Sequence, residues 1–246
     1  MKILLYKVRK DTLFSVFEPI VVEPLELQYL KSALVGHDVT IGDRLLDRMS
    51  LKVRLRNEHY DVIVLNGYVT AEDKIIELAK RIKAVSPGTR VIVSGVHAQM
   101  NPEAFRVESV DVIVKTQSLR AFVDFLELEK LGSCSIDGFD HRYGGSWVEG
   151  GKLTLTAYED ITPDRLFYKS HADKFRYMNY EKVALVKGSI SCPFQCSYCY
   201  CRKLNDGKYI KRDYKGLFDE MATVDSEYYW VIDDTFPIRY LFFSIS

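Results

Sequence analysis

The first half of the chain alternates five times between short β-branched runs and stretches with helical periodicity, and that alternation leaves few folds open. The strand candidates are residues 2–8, 38–41, 61–65, 90–94 and 111–115. Several of them, such as DVIVL, VIV and DVIV, are apolar on both faces. Strands of a parallel sheet read this way when helices cover both sides. Between the runs, Pro24 opens a helix that carries Leu27, Leu30 and Leu34 on one stripe. Thr70 caps a second helix over residues 72–85, with Ile75, Ile76, Ala79 and Ile82 turned inward. Ser118 caps a third, with Leu119, Phe122, Val123 and Leu126 facing the sheet. The expected fold class is α/β, beginning with a doubly wound, Rossmann-like (flavodoxin-like) parallel sheet over residues 1–131.

In such a sheet ligands bind beyond the C-terminal ends of the strands, where the strand order reverses. That directs attention to loops 9–23, 66–70, 95–101 and 116–118. None carries a G-x-G-x-x-G or Walker A pattern, so a nucleotide held by a glycine-rich turn is unsupported. After residue 132 the pattern changes. Gly138, Gly144, Gly145, Gly150 and Gly151 punctuate short alternating runs such as KLTLTAY, followed by ITPDRLFY. Residues 132–180 are expected to form a linker with a hairpin and an extended crossing segment. From 181 to 246 a second succession begins: a strand over 182–188, a helix over 214–222 and a strand over 228–233.

Charge and hydropathy exclude some partners. The 34 basic residues balance the 34 acidic ones, which removes the global bias expected for nucleic acid or anionic lipid. No apolar run approaches the roughly 20 residues of a membrane span. The apolar start MKILLYKV is short for a signal peptide. No nucleic-acid or membrane partner is expected, and the location expected is cytoplasmic. The cysteines agree, because Cys134 stands alone while Cys192, Cys196, Cys199 and Cys201 crowd together. Disulfide frameworks spread their cysteines, whereas one crowded loop reads as a metal site.

Cys192, Cys196 and Cys199 have C-x3-C-x2-C spacing directly after a strand candidate. Three thiolates on one tight loop suit one face of an iron-sulfur cube. Zinc, with Cys201 as a fourth ligand, stays an alternative, although structural zinc usually draws on two separated pairs. The wording CPFQCSYCY resembles the radical S-adenosylmethionine (SAM) enzymes. With the α/β start, ITPDR and VIDDTF, the whole chain resembles their subgroup with an N-terminal cobalamin-binding domain.

The resemblance implies a 4Fe-4S cluster on Cys192, Cys196 and Cys199, reductive cleavage of SAM, and radical methylation or rearrangement of an unknown small-molecule substrate. It also implies a reducing partner such as flavodoxin or ferredoxin. Tyr198 would lie against the adenine, and Asp234, beside Asp233, would touch SAM. Cys201 falls outside the motif. Cobalamin would be held by Asn66, Gly67, Tyr68, Ser94, Gly95, Val96 and His97, with SGVHAQMNPEAF standing where the family often has a Gly-Gly-x-His run. The lower-ligand motif D-x-H-x-x-G is absent, and KTQSL replaces an acidic, glycine-rich run. Pro163, Asp164 and Arg165 match a family spelling and read as structural. The family's barrel needs further strands beyond Ser246 and the apolar tail RYLFFSIS, so a truncated partial barrel is expected. The alternative function is a non-catalytic corrinoid-binding module with a vestigial cysteine loop.

Overall fold

The structure, a computed structural model, describes residues 1–10, 18–47, 49–128 and 131–235. The apolar tail and part of the 9–23 loop lie outside the described residues. The chain runs through β1 (Lys2–Lys7), β2 (Ile20–Val21), α1 (Leu25–Ala33), β3 (Asp38–Asp43), α2 (Leu51–Asn57) and β4 (Val62–Asn66). Next come α3 (Glu72–Val85), β5 (Arg90–Ser94), α4 (Val96–Met100), β6 (Val112–Val114) and α5 (Leu119–Glu127). A hairpin of β7 (Phe139–Tyr143) and β8 (Ser146–Val148) leads to α6 (Leu166–His171), β9 (Arg176–Tyr177) and β10 (Tyr180–Glu181). The last elements are β11 (Val183–Val186), β12 (Ser189–Ile190), β13 (Ile210–Lys211), α7 (Tyr214–Val224) and β14 (Tyr228–Val231).

The main sheet has the order β3-β1-β4-β5-β6-β7-β8. Its first five strands are parallel, and all five coincide with strand candidates. Alternate residues of one strand enter different layers: Ile3 and Leu5 pack with Leu27, Leu30, Phe122 and Phe125 on one face. Leu4 and Tyr6 pack with Ile75, Leu78 and Ile82 on the other. This two-sided burial is why the strands read as continuous apolar runs.

Local details correct the sequence reading in three places. The α3 stripe is Ile75, Leu78, Ala79 and Ile82, a strict helical repeat, which leaves Ile76 half-buried at its edge. Thr70 does not cap α3, because it lies within a 3-10 turn spanning Val69–Ala71. Glu72 and Asp73 instead place negative charge in the first turn of α3. Ser118 does cap α5, its Oγ accepting from the Ala121 N–H at 3.0 Å.

The third correction concerns the hairpin. KLTLTAY forms no strand; the hairpin is β7 and β8, and it extends the main sheet, β7 pairing antiparallel with β6. Gly144 and Gly145, with φ of 58° and 86°, make the two-residue turn between Tyr143 and Ser146. Two positive φ angles in succession are what this tight hairpin requires. Asp140 anchors it, with Lys115 Nζ at 2.5 Å and Arg106 Nη2 at 2.9 Å. Burial pushes the Asp140 carboxyl up, but those two cations and the Gly150 N–H outweigh it and hold its pKa low.

Farther along, β11 and β14 pair in parallel across the α7 crossover. A buried chain of alternating charge joins this unit to the first sheet. Glu23 enters just before α1, Arg165 lies before α6, Arg212 lies after β13 and Glu220 is on α7. Arg165 Nη1 lies 3.0 Å from both oxygens of Glu23, and its Nη2 donates to the Leu185 carbonyl at 2.7 Å. Glu220 accepts from Arg165 and Arg212. Glu23 Oε1 also accepts the Leu185 N–H at 2.6 Å. The two cations balance the two anions, so no net charge is buried.

Removing one member leaves its partners charged and desolvated. Arg165→Met should therefore lower unfolding free energy by roughly 3–5 kcal/mol in urea titrations; a loss below about 1 kcal/mol would refute this role. Asp140 gives a pH dependence. Its lowered pKa contributes stability above the ordinary Asp range and loses it as pH falls below about 4. Asp140→Asn should flatten that acid limb in pH-dependent melts.

Candidate functional site

The registers of the parallel strands pair Lys7 with Asn66 and Asn66 with Ser94, so three strand ends form one row on the C-terminal edge of the sheet. The strand order reverses between β1 and β4, at the Lys7–Asn66 step of that row. A cleft of about 1070 Å³, including open solvent at its mouth, lies over this edge. Leu25, Glu26 and Leu30 of α1 form one wall, and Val114, Thr116 and Phe122 form another. Leu155, Tyr158 and Glu159 cross over as a strap, while Lys187, Ile190 and Ile232 reach in from the β11–β14 unit. The lining is mostly apolar with a few polar groups, the usual make-up of a small-molecule site.

The strap is fixed at both ends. Glu159 sits at the N-terminus of α5, accepting from Ser118 Oγ at 2.5 Å and from the N–H groups of Leu119 and Arg120 at 2.7 and 3.2 Å. Its charge meets the unpaired donors there. At the other end the Asn205 carboxamide brackets Leu155, accepting its N–H at 2.6 Å and donating to its carbonyl at 3.2 Å. Tyr158 stands between these ties with its hydroxyl 3.4 Å from that of Tyr29, and burial pushes its pKa up.

Of the residues expected to hold cobalamin, Asn66, Ser94, Gly95 and Val96 line the cleft. Gly67, Tyr68 and His97 are not among its lining. A Cβ on Gly67 would meet Ile75 at 3.0 Å and the Val8 carbonyl at 3.2 Å, so this glycine serves close packing. Tyr68 is 52% exposed, with Lys7 Nζ 4.2 Å from its ring centroid. His97 turns toward α3: its Nε2 lies 2.6 Å from Glu72 Oε2 and its ring stands edge-on to Phe105. Thr116, Gln117 and Ser118 join the cleft from a loop that the strand-end rule had marked. The strap and Lys187 carried no local signal, because only the crossing of distant segments brings them in.

The cysteine segment is arranged differently from the expectation. Cys192 is buried with its Sγ 2.6 Å from Thr235 Oγ1, whereas Cys196 is exposed and Cys199 half-buried. Buried Cys201 donates to Asp234 Oδ1 at 3.3 Å. Burial, with Asp234 and Cys199 beside it, pushes the Cys201 thiol up to about 12. Tyr198 is 91% exposed. Asp233 Oδ1 accepts the N–H groups of Gly188 and Ser189 at 2.7 and 3.1 Å. Thiol donors suit iron, but among the described residues no three His, Cys, Asp or Glu side chains group to hold a metal ion. In this arrangement the three motif cysteines do not fit a cluster, because Cys192 is turned into Thr235 while Cys196 points to solvent.

Among the solved structures that match the chain are two of a cobalamin-dependent S-adenosylmethionine radical enzyme, OxsB. One, with aqua-cobalamin and S-adenosylmethionine bound, aligns at a TM-score of 0.69 and 18% identity. The other, with aqua-cobalamin bound, aligns at 0.72 and 16%. Each alignment covers 96% of this chain and 34% of the other, so the chain spans about a third of that enzyme's length. At these identities the likeness is one of fold. No protein-family profile and no curated protein matches the chain. No described helix is long and apolar enough to cross a membrane.

Gly95 tests the cleft floor. Its φ of 108° is open to glycine, and a Cβ there would meet Asn66 Nδ2 at 3.0 Å. Gly95→Ala should cost roughly 1–3 kcal/mol in urea unfolding; a change below about 0.5 kcal/mol would show the strain to be absent.

Proposed function

We propose that the chain is a cobalamin-binding protein of the radical SAM kind, with cobalamin in the cleft over the strand ends. The observation that carries this is the cleft's position: an apolar crevice at the reversal of strand order, in a fold like that of OxsB. The same reading assigns residues 1–131 to a flavodoxin-like cobalamin domain, with β7 and β8 extending its sheet. It assigns 132–180 to a linker, and 181–246 to the start of a partial (β/α) barrel. Asn66, Ser94, Gly95 and Val96 would form the floor beneath the cofactor, with Thr116 and Gln117 at the rim. Leu25, Val114, Phe122 and Ile190 would exclude water from its faces. When bound, cobalamin supplies a cobalt centre that can carry a methyl group.

Reductive cleavage of SAM, for radical methylation or rearrangement of a small substrate, belongs to the same proposal only for a rearranged cysteine segment. Cys192 would have to leave Thr235 before it could join Cys196 and Cys199 on a 4Fe-4S cluster. A reducing partner such as flavodoxin or ferredoxin and a cytoplasmic location complete that version. The present positions of the cysteines favour the second reading, a corrinoid-binding module without SAM chemistry.

Aquacobalamin added to the full chain should co-elute with it in gel filtration, and Val96→Trp, which fills the floor, should abolish co-elution. Failure of the unaltered chain to retain the corrinoid would remove the proposal. Anaerobic reconstitution with iron and sulfide then separates the two readings. A reduced 4Fe-4S resonance that changes with SAM, and is lost in Cys196→Ala but kept in Cys201→Ala, supports the enzyme. Absence of such a signal leaves the module, and equal loss from both variants indicates a cluster held by four thiolates, with Cys201 as the fourth ligand.

A further inference from the structure

The row Lys7, Asn66 and Ser94 crosses three adjacent strands at the floor of the cleft. Asn66, Ser94 and Glu26 line the cleft, while Lys7 lies behind them, 3% exposed. Its hydrogen bonds are arranged in one direction. Lys7 Nζ donates to Asn66 Oδ1 at 2.7 Å. That contact pins the oxygen end of the carboxamide toward Lys7 and turns the nitrogen end to the other side. There Nδ2 donates to Glu26 Oε2 at 3.1 Å and Ser94 Oγ at 3.4 Å. Both protons of the amide are then in use, and Ser94 Oγ, having accepted one of them, keeps its own proton to donate.

The opposite orientation of Asn66 is disfavoured at both ends. It would set Oδ1 against the Glu26 carboxylate and the amide N–H groups against the Lys7 donors. The groups facing Lys7 are Glu26 from α1, Arg9 beyond β1, Asp43 at the end of β3 and the Tyr68 ring. An ammonium offers three N–H donors and a neutral amine still offers two, so donation to Asn66 persists in either state. Gly95 completes the device, since any Cβ there would crowd Asn66 Nδ2.

We propose that Lys7 is a positioning residue that sets the donor–acceptor polarity of the cleft floor. Through Asn66 it leaves Ser94 to meet the ligand as a hydrogen-bond donor. Asn66 itself offers the ligand no N–H. The neighbouring carboxylate of Glu26 disfavours an anion at this spot, so the matching ligand group is an uncharged acceptor, such as an amide carbonyl or an imine nitrogen. The inference rests on the reading that cobalamin, whose edge is rich in amide carbonyls, occupies the cleft.

The test is a double-mutant cycle on aquacobalamin affinity, followed by absorbance, with Lys7→Met, Ser94→Ala and the pair. Each single variant should bind about tenfold more weakly, and the pair no more weakly than either alone, since both remove one donor. Lys7→Gln, which retains N–H donors, should bind within about threefold of the unaltered chain. Additive losses, or an unchanged Lys7→Met, would overturn the inference. A ligand-free readout keeps it separate from the cobalamin reading. The Asn66 side-chain NH2 resonance, assigned with Asn66→Asp, should exchange slowly with solvent in the free protein and quickly in Lys7→Met or, if that variant does not fold, in Lys7→Ala. If the unaltered chain fails to bind aquacobalamin, the cobalamin reading falls. The NMR comparison then decides the role of Lys7, and equal exchange in both proteins refutes it.

Discussion

The buried Glu23–Arg165–Glu220–Arg212 chain is the interaction on which the rest of the architecture depends. Each member comes from a different stretch of sequence, and each is nearly or fully removed from solvent. Charges so placed are tolerated only where they are paired, and here each carboxylate meets a guanidinium, although the Nε of Arg165 and of Arg212 has no hydrogen-bond partner among the described residues. The network therefore selects one arrangement of α1, the segment before α6, β11 and α7. It also draws the Leu185 backbone into the same set of bonds, which fixes the start of the second unit against the first. A purely apolar contact of the same size would permit sliding, because the hydrophobic effect is non-directional.

That fixed arrangement makes the cleft a composite. Its floor belongs to the first sheet, its strap to the crossing segment, and part of its roof to the residues after β11 and β14. Glu159 and Asn205 tie the strap to α5 on one side and to the stretch following the cysteines on the other. A ligand in the cleft would thus touch elements that are also bonded to the cysteine segment. The contact is physical and continuous, running from Tyr158 through Leu155 to Asn205. It gives the two candidate sites a shared wall without requiring that they share a residue.

The sequence made the first sheet legible because two-sided burial writes itself as apolar runs such as DVIVL, and the following turns stand out against them. It was less informative wherever burial is one-sided or tertiary. KLTLTAY alternates like a strand but pairs with no strand among the described residues, its backbone being held instead by the Asn205 side chain, while FDHRY, with polar residues at its centre, pairs with β6 because Lys115 and Arg106 neutralise Asp140. His97 was a reasonable ligand candidate by position, yet its ring is taken by Glu72, a contact set by how α4 packs on α3. Asn66 and Ser94 enter through the family resemblance, and both stand at strand ends and line the cleft. Lys7 was passed over, since a lysine ending an apolar strand reads as a solvent-facing charge until the registers place it behind Asn66.

The cysteines show why motif spacing and site geometry are separate facts. Spacing guarantees that three thiols occupy one loop; it does not fix where each thiol points. Here Asp233, Asp234 and Thr235, in the loop after β14, act together on the segment after β11. Asp233 holds the Gly188 and Ser189 amides, Asp234 accepts from Cys201, and Thr235 engages Cys192. These contacts are individually modest, since a neutral hydrogen bond contributes about 0.5–1.5 kcal/mol and one accepted by a carboxylate about 1.5–3 kcal/mol. A metal bound by thiolates is worth several times that, as structural zinc sites illustrate. The contacts that keep the cysteines apart are therefore weak enough to give way to a metal, and the Asp-Asp-Thr loop sets the threshold that metal binding must exceed.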